Sequence, residues 1–108
     1  MQRGEVWWVE FDPSVGSEIK KTRPAVIISN NAANKHLARV VVIPITSNVA
    51  RTYPGEALIM LQNTPGKAMI DQIMAADKAR LKSKIDKLSV ENLIAIEEAI
   101  KQHFDLTF

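Results

Sequence analysis

The chain contains no cysteine among its 108 residues. Disulfide bonds and thiolate metal sites are therefore excluded, and a reducing compartment fits this composition better than a secreted one. No apolar run approaches the roughly 18 residues needed to span a bilayer. The first residues, MQRGEVWW, lack the apolar region of a signal peptide. These absences predict a cytoplasmic protein with no membrane partner.

The sequence also lacks the short motifs that mark several enzyme classes. It contains no GxxxxGK[ST] or GxGxxG phosphate loop, no HExxH zinc motif and no GxSxG serine motif. Nothing in the pattern brings its two histidines, His36 and His103, together, and no cluster of His and Asp indicates a metal site. We therefore predict neither a metal nor another cofactor.

The length of the chain suits a single domain spanning residues 1–108. The net charge is only +2, but bases concentrate in residues 13–24 and 77–87, and acids in residues 89–108. Two basic segments could attract a polyanion through phosphate contacts. A solvated surface of Lys and Arg is the alternative interpretation, and charge alone favours it.

Hydrophobic patterning predicts a mainly β protein. The segment EVWWVEF alternates, with Trp7 and Val9 on one face of a strand and Val6 and Trp8 on the other. PAVIISN and RVVVIPIT are continuous apolar runs, typical of strands buried on both faces. Pro44, inside the second run, indicates an edge strand or a bulge. EALIML and AMIDQIM predict two further strands, and the Pro-Gly pairs of TYPGE and NTPGK predict tight turns.

The hydrophobic period changes near the end of the chain. SVENLIAIEEAIKQHF has helical spacing, Ser89 is a suitable N-cap, and Glu91 favours the helix N-terminus. The predicted fold class is β plus α, with a small, strongly bent sheet or barrel and a C-terminal amphipathic helix packed against it.

Two strand boundaries carry candidate chemistry. In GSEIKKTRP, Arg23 precedes a proline that restricts it to extended backbone angles, and its guanidinium suits a phosphate. In IPITSN, Thr46 and Ser47 supply two hydroxyls at the end of the next apolar strand. A surface arginine with ordinary strand-end hydroxyls remains the alternative on the residues alone.

These segments, taken in order, resemble the MazF/PemK family of toxin endoribonucleases from type II toxin–antitoxin systems. RGEVWWVEFDPSVGSE is similar to the first strand and loop of the family, RPAVIISN to its second strand, IPIT to its third, and DQIMAADKARL to its late strand and basic segment. The resemblance covers nearly the whole chain. It implies an SH3-like barrel of five to seven strands with a C-terminal helix, and a homodimer that binds single-stranded RNA along a groove at the dimer interface.

The resemblance also assigns roles to individual residues. Arg23 and Thr46 match the catalytic arginine and threonine of the family. Glu18 matches a carboxylate needed around the active site, and it is our candidate for taking the proton of the ribose 2′-hydroxyl. Gln72 matches a polar position beside the RNA groove.

The same loop supplies further candidates for substrate binding. Lys20 and Lys21 would draw in the RNA backbone, and Ser47 would donate to a phosphate oxygen. This chain departs from the family at Lys20, Lys21 and Thr22, where glycines are frequent, and at Met74, where a base is frequent. These departures bear on the preferred RNA sequence more than on activity.

The implied reaction is sequence-specific, metal-independent cleavage of single-stranded RNA by 2′-hydroxyl attack, which leaves a cyclic or 3′ phosphate and a 5′-hydroxyl. The implied partners are RNA (mRNA, with rRNA and tRNA as further candidates), a cognate antitoxin and a second copy of the chain, with DNA binding in the antitoxin complex also open. Two alternatives are a gyrase-poisoning toxin on the same fold and a non-catalytic SH3-like interaction module. The pair Arg23 and Thr46 favours the nuclease over both.

Overall fold

The computed structural model describes residues 1–107, and Phe108, the last residue of the predicted single domain, lies outside that range. Within it the chain forms seven strands and two α-helices. In chain order these are β1 (Glu5–Glu10), β2 (Thr22–Ile27), α1 (Asn31–His36), β3 (Arg39–Thr46), β4 (Glu56–Leu61), β5 (Thr64–Met69), β6 (Met74–Asp77), β7 (Leu81–Lys87) and α2 (Val90–His103). Single turns of 3₁₀ helix at Ile70–Gln72 and Lys78–Arg80 flank β6.

The strands form one curled antiparallel sheet in the order β4-β5-β3-β2-β1-β7, and β6 pairs with β3 outside that order. The central strand is β3, which pairs with β2 along one side and with β6 and then β5 along the other. The prediction of a mainly β fold of five to seven strands with a C-terminal helix is confirmed.

Alternate residues of the central strands enter two separate hydrophobic cores. The core next to α2 is built mainly from Val6, Val26, Ile43, Ile59, Ile70 and Ile96. The other core is built mainly from Val9, Phe11, Ala25, Ile27, Val42 and Leu81. Because neighbouring residues of a strand point to opposite faces, burial on both faces requires the continuous apolar runs of β2 and β3. The prediction of two-sided burial is therefore confirmed.

The prediction that Pro44 marks an edge strand or a bulge is wrong. Pro44 is buried in the central strand and pairs with Ala25 of β2. On its other side, β3 pairs with β6 as far as Val42 and with β5 from Ile45 onward. Pro44 lies in the gap between these two partners, where a residue without an N–H group loses no ladder hydrogen bond.

One predicted turn is confirmed and the other is displaced. Gly55 follows Pro54 with a φ of 85°, as the turn in TYPGE requires. In NTPGK, by contrast, Pro65 and Gly66 lie inside β5. The hairpin between β4 and β5 turns at Gln62 and Asn63, whose φ values of 51° and 62° are those of a type I′ turn.

Three further segments differ from the sequence prediction. AMIDQIM is not one strand, because a 3₁₀ turn at Ile70–Gln72 separates β5 from β6. The basic segment, residues 77–87, contains the edge strand β7, which the patterning did not predict. The short helix α1 was also missed, although Asn30 caps it by accepting a hydrogen bond from the backbone N–H of Ala33 at 2.8 Å.

Helix α2 begins as predicted and covers the exposed edge of β4. Ser89 is its N-cap, and the Ser89 hydroxyl accepts the backbone N–H of Asn92 at 3.2 Å. The side-chain amide of Asn92 donates to the carbonyl of Met60 at 3.0 Å and accepts the N–H of Met60 at 3.4 Å. Met60 and Pro65 of β5 form a pair without mutual hydrogen bonds. The N–H and carbonyl of Met60 therefore point away from β5 and toward this amide.

A buried carboxylate holds the start of β1. Glu5 accepts hydrogen bonds from the Trp7 indole at 3.0 Å and the Gln2 backbone at 3.1 Å, and it pairs with Lys84 of β7 at 3.3 Å. Burial raises the pKa of Glu5, but these hydrogen bonds and the Lys84 charge outweigh it, so the pKa lies below its ordinary value. Glu5 therefore remains ionised and ties β1 to β7.

Candidate active site

The ends of β2 and β3 border an open cavity of about 410 Å³. Its polar rim comes from both strand ends: Thr22, Arg23, Thr46 and Ser47. Its apolar part includes Trp8, Pro24, Ile45, Leu61 and Pro65. The β4–β5 hairpin thus closes a side of the cavity that no local sequence pattern indicated.

Strand register brings Arg23 and Thr46 together. Ala25 on β2 pairs with Pro44 on β3. That pair is the last of the β2–β3 ladder, and Arg23 and Thr46 lie two residues beyond it on the two strands, where both line the cavity. The two residues that the sequence indicated separately therefore occupy one site.

One hydrogen bond orients the guanidinium of Arg23 and leaves part of its hydrogen-bonding capacity unused. Its Nε donates to the backbone carbonyl of Lys20 at 3.3 Å, while its backbone lies in the β1–β2 ladder opposite Val9. Within residues 1–107, neither terminal nitrogen of Arg23 has a partner, and the side chain is exposed. Both nitrogens are therefore available to hold a phosphate in a bidentate fork.

The hydroxyl of Thr46 is also oriented by one contact. Its Oγ1 accepts the backbone N–H of Asn48 at 3.2 Å. A hydroxyl has one proton to donate in addition to its acceptor sites. Because Asn48 occupies an acceptor site, the Thr46 proton is left to donate to an oxygen in the cavity, beside the exposed Ser47.

Glu18 and Gln72 lie outside this cavity, in a neighbouring pocket of about 400 Å³ that shares Ile19 with it. Glu18 Oε1 accepts the backbone N–H of Val15 at 2.7 Å, and Gln72 Oε1 accepts that of Ile19 at 3.3 Å. Both side chains therefore stabilise the β1–β2 loop. The structure brings Arg23, Thr46 and Ser47 together and separates these two from them.

The two basic segments differ in how much of their charge is available. Arg80, in residues 77–87, donates to the carbonyls of Glu10 and Asp12. Lys84, in the same segment, pairs with Glu5. These cations hold strands together, which the charge pattern alone could not reveal.

Lys20 and Lys21, in contrast, are both exposed beside Arg23. No ion pair or hydrogen bond involves either ammonium group in the described part of the chain. The β1–β2 loop, and not the basic segment, therefore offers unpaired positive charge next to the cavity.

The two tryptophans of β1 have different environments. Trp7 packs against a core and donates its indole N–H to Glu5. Trp8 is 42% exposed and lines the cavity. Of these two tryptophans, Trp8 is therefore the one available to stack on a planar group of a ligand.

Residues 1–107 contain no group of three or more His, Asp and Glu side chains placed to hold a metal ion. None of the helices in this part of the chain has the length and apolar character needed to cross a membrane.

The fold and the cavity define a class: a small, curled β-sheet protein with a C-terminal helix and a site suited to an anionic ligand. Within that class, the family of PemK-like, MazF-like toxins of type II toxin–antitoxin systems matches residues 2–104. Endoribonuclease MazF9 of Mycobacterium tuberculosis is 39% identical, covering 98% of this chain and 98% of its own length. The endoribonuclease toxin MazF of Escherichia coli K12 is 34% identical, covering 90% and 87%. The chain therefore belongs to the MazF endoribonuclease family.

Solved structures agree on the fold. MazF from Deinococcus radiodurans superposes with a TM-score of 0.85 at 22% identity, covering 97% of this chain and 96% of its own. A mycobacterial endoribonuclease, solved in complex with its cognate antitoxin, superposes with a TM-score of 0.84 at 24% identity, covering 100% and 98%.

Proposed function

We propose that this toxin cleaves single-stranded RNA at short sequence motifs, without a metal ion, at the cavity between β2 and β3. The observation that carries the proposal is that Arg23 and Thr46, just beyond the paired ends of β2 and β3, both line that cavity. The relatives are named endoribonucleases, which supports RNA as the substrate. The absence of cysteine suits a reducing compartment and so supports action in the cytoplasm.

The proposed reaction is attack by a ribose 2′-oxygen on the adjacent 3′ phosphorus. The new O–P bond forms as the bond to the 5′-oxygen breaks. The 2′-hydroxyl loses its proton to a base, and the departing 5′-oxygen takes a proton from water, which gives a 2′,3′-cyclic phosphate and a 5′-hydroxyl. Water can then open the cyclic product to a 3′ phosphate. Intramolecular attack depends on positioning, and the negative charge that develops on the phosphoryl oxygens requires fixed donors. Arg23 and Thr46 supply these donors.

We keep Glu18 as the acceptor of the 2′-hydroxyl proton. Its carboxylate accepts the N–H of Val15 in the free protein, so the loop must shift to bring it to the cavity. RNA bound at Lys20 and Lys21 would supply the interaction that moves the loop. Gln72 lies in the 3₁₀ turn at Ile70–Gln72 and holds the backbone of Ile19, so it would border the RNA beside this loop.

Cleavage is expected to persist in excess EDTA, because Arg23 and Thr46 supply the charge stabilisation that a metal ion provides in many nucleases. Labelled RNA incubated with pure protein and resolved on a gel checks this. Activity that is lost on chelation and restored by Mg²⁺ would contradict the proposal. Absence of cleavage in any buffer would favour a gyrase-poisoning or non-catalytic protein.

We further propose that the chain acts as a homodimer and that an antitoxin binds it. A half-exposed apolar groove of about 320 Å³ on the β4–β5 hairpin includes Val49, Leu58, Met60 and Pro65. Pro65 borders both this groove and the catalytic cavity, so a second copy bound here would extend the cavity into a longer groove. The structural relative solved with its cognate antitoxin supports the second partner.

The apolar residues Val6 and Val9 of β1 are buried in the two cores of one protomer, so they are not available to a dimer interface. A dimer through the β4–β5 hairpin is expected to give twice the 12.0 kDa chain mass by light scattering at micromolar concentration. Leu58→Lys should shift the sample toward the monomer, because it places a charge in the apolar contact. A monomeric mass for the unmodified protein would contradict this prediction.

A further inference from the structure

The loop between β3 and β4, residues 47–55, carries no acidic residue. It begins at Ser47, which lines the cavity. Farther along, the side chain of Arg51 is exposed and that of Tyr53 is 56% exposed. Cations combined with exposed aromatic rings are what proteins use to bind single-stranded nucleic acid.

A buried lysine fixes this loop to the sheet. Lys67 lies on β5 directly opposite Thr46 and is only 7% exposed. Its ammonium group donates to the backbone carbonyl of Arg51 at 2.8 Å and pairs with Glu56 at 3.2 Å. Removing an ammonium group from water is costly, so its burial requires such partners.

The same ammonium group lies over the ring of Tyr53, 5.7 Å from the ring centroid. The backbone of Tyr53 is held as well, because its N–H donates to Glu56 Oε1 at 2.7 Å and its carbonyl accepts the Glu56 N–H at 3.0 Å. One face of the ring is thus occupied by a cation while more than half of the residue remains in solvent. An aromatic ring fixed in this way is a platform for a second planar group.

We propose that Tyr53 is a substrate-binding residue that stacks on an RNA base beyond the cleaved phosphate, and that Lys67 is the positioning residue that holds its ring. Lys67 lies opposite Thr46 on the neighbouring β-strand, and its ammonium group contacts the Tyr53 ring. The ring is therefore within one lysine side chain of the cleavage site, and the base that it stacks on belongs to the RNA being cleaved. The inference rests on the proposed function, to which it adds a second contact with the substrate.

The first experiment measures binding of 2′-O-methyl RNA, which cannot undergo 2′-hydroxyl attack, in two lengths: a dinucleotide and a seven-nucleotide strand. Tyr53→Ala should weaken binding of the longer strand by about tenfold, the usual scale for loss of one stacked base. Tyr53→Phe should bind within about twofold of wild type, because the ring remains. Neither variant should change dinucleotide binding.

Leu37→Ala is the matched control, since Leu37 is 51% exposed and lies next to α1, away from the cavity. It should bind both strands as wild type does. In cleavage assays of the longer RNA, Tyr53→Ala should raise KM by about tenfold and leave kcat within about twofold.

The second experiment tests Lys67 through the peptide bond that follows Arg51, which is a trypsin site. The carbonyl that trypsin must attack is the one that Lys67 holds. Lys67→Met should therefore speed cleavage at Arg51 and raise KM for the longer RNA as Tyr53→Ala does, and Lys67→Arg should restore both values. The combined Tyr53→Ala/Lys67→Met variant should lose little more than either single variant, because both changes remove the same platform.

Equal binding of the longer strand by wild type and Tyr53→Ala would overturn the proposal. So would an equal loss with the dinucleotide, or a fall in kcat for Lys67→Met with KM unchanged, because the lysine would then act on Thr46. A Tyr53 variant that binds RNA normally and fails only to bind an antitoxin would assign the ring to that partner instead. If wild type binds the longer strand through Tyr53 but never cuts RNA, only the proposed function fails.

Discussion

Replacing Arg23 with alanine is expected to lower RNA cleavage by about 10²- to 10³-fold while the protein stays folded. The side chain is exposed, and its one hydrogen bond within residues 1–107 is to the backbone of Lys20, so its loss leaves the cores intact. The lost rate measures the charge stabilisation that its two terminal nitrogens give to the pentacoordinate phosphate. Single-turnover cleavage, with circular dichroism to verify folding, measures the effect.

Arg23→Lys should also cleave poorly, because a point charge cannot reproduce a planar fork. The matched control is Arg39→Ala, at the opposite end of β3 from Thr46, where the residue is also exposed. It should cleave at close to the wild-type rate. Near wild-type cleavage by folded Arg23→Ala would remove Arg23 from the catalytic site, and an equal loss in Arg39→Ala would indicate a general effect of charge.

Replacing Thr46 with valine is expected to lower kcat by about 10²-fold, since the shape of the side chain is kept and its proton donor is lost. The backbone N–H of Asn48 also loses its acceptor, but this exposed group can bond to water instead, so stability should change little. Thr46→Ser keeps the hydroxyl and should recover most of the rate. Urea unfolding checks the stability, and single-turnover kinetics check kcat.

A threonine that only supports the turn would give a different pattern. Thr46→Val would then lower stability and raise KM, and kcat would be unaffected. Loss of kcat in Thr46→Ser equal to that in Thr46→Val would also contradict a role for the hydroxyl proton.

Sequence reasoning succeeded where the signal was local. Local signals also drew attention to Arg23, before a proline, and to Thr46, at the end of an apolar run; the structure places both at one cavity, and their catalytic roles stay predictions. Burial of β2 and β3 on both faces followed from their unbroken apolar character. Each of these features is a property of a few neighbouring residues, so the printed sequence contains it.

The remaining features depend on contacts between distant segments. Glu18 appeared beside Arg23 in the sequence, yet the turn that it closes on Val15 directs its carboxylate into the neighbouring pocket. Pro65 and Gly66 resembled a turn, but the register of β4 with β5 places the turn at Gln62 and Asn63.

The burial of Lys67 also depends on contacts between distant segments. It is one charged residue in a short strand, and only the folded loop above it explains why it is buried. No pattern of neighbouring residues around Lys67 could have indicated its carbonyl, carboxylate and aromatic partners. The residue that our further inference depends on was therefore invisible to sequence reasoning.

The hydrogen bonds of Asn92 determine how partners can approach this toxin. An outermost strand has unpaired N–H and C=O groups, to which another chain can add as a further strand. Such addition can form a specific complex or begin aggregation. At Met60 the edge is blocked, because the Asn92 amide already bonds to the N–H and the carbonyl that an incoming strand would need. A strand therefore cannot be added at Met60, where a partner would have to bind through side chains. An interface of side chains at this point can form and separate without breaking any hydrogen bond of the sheet.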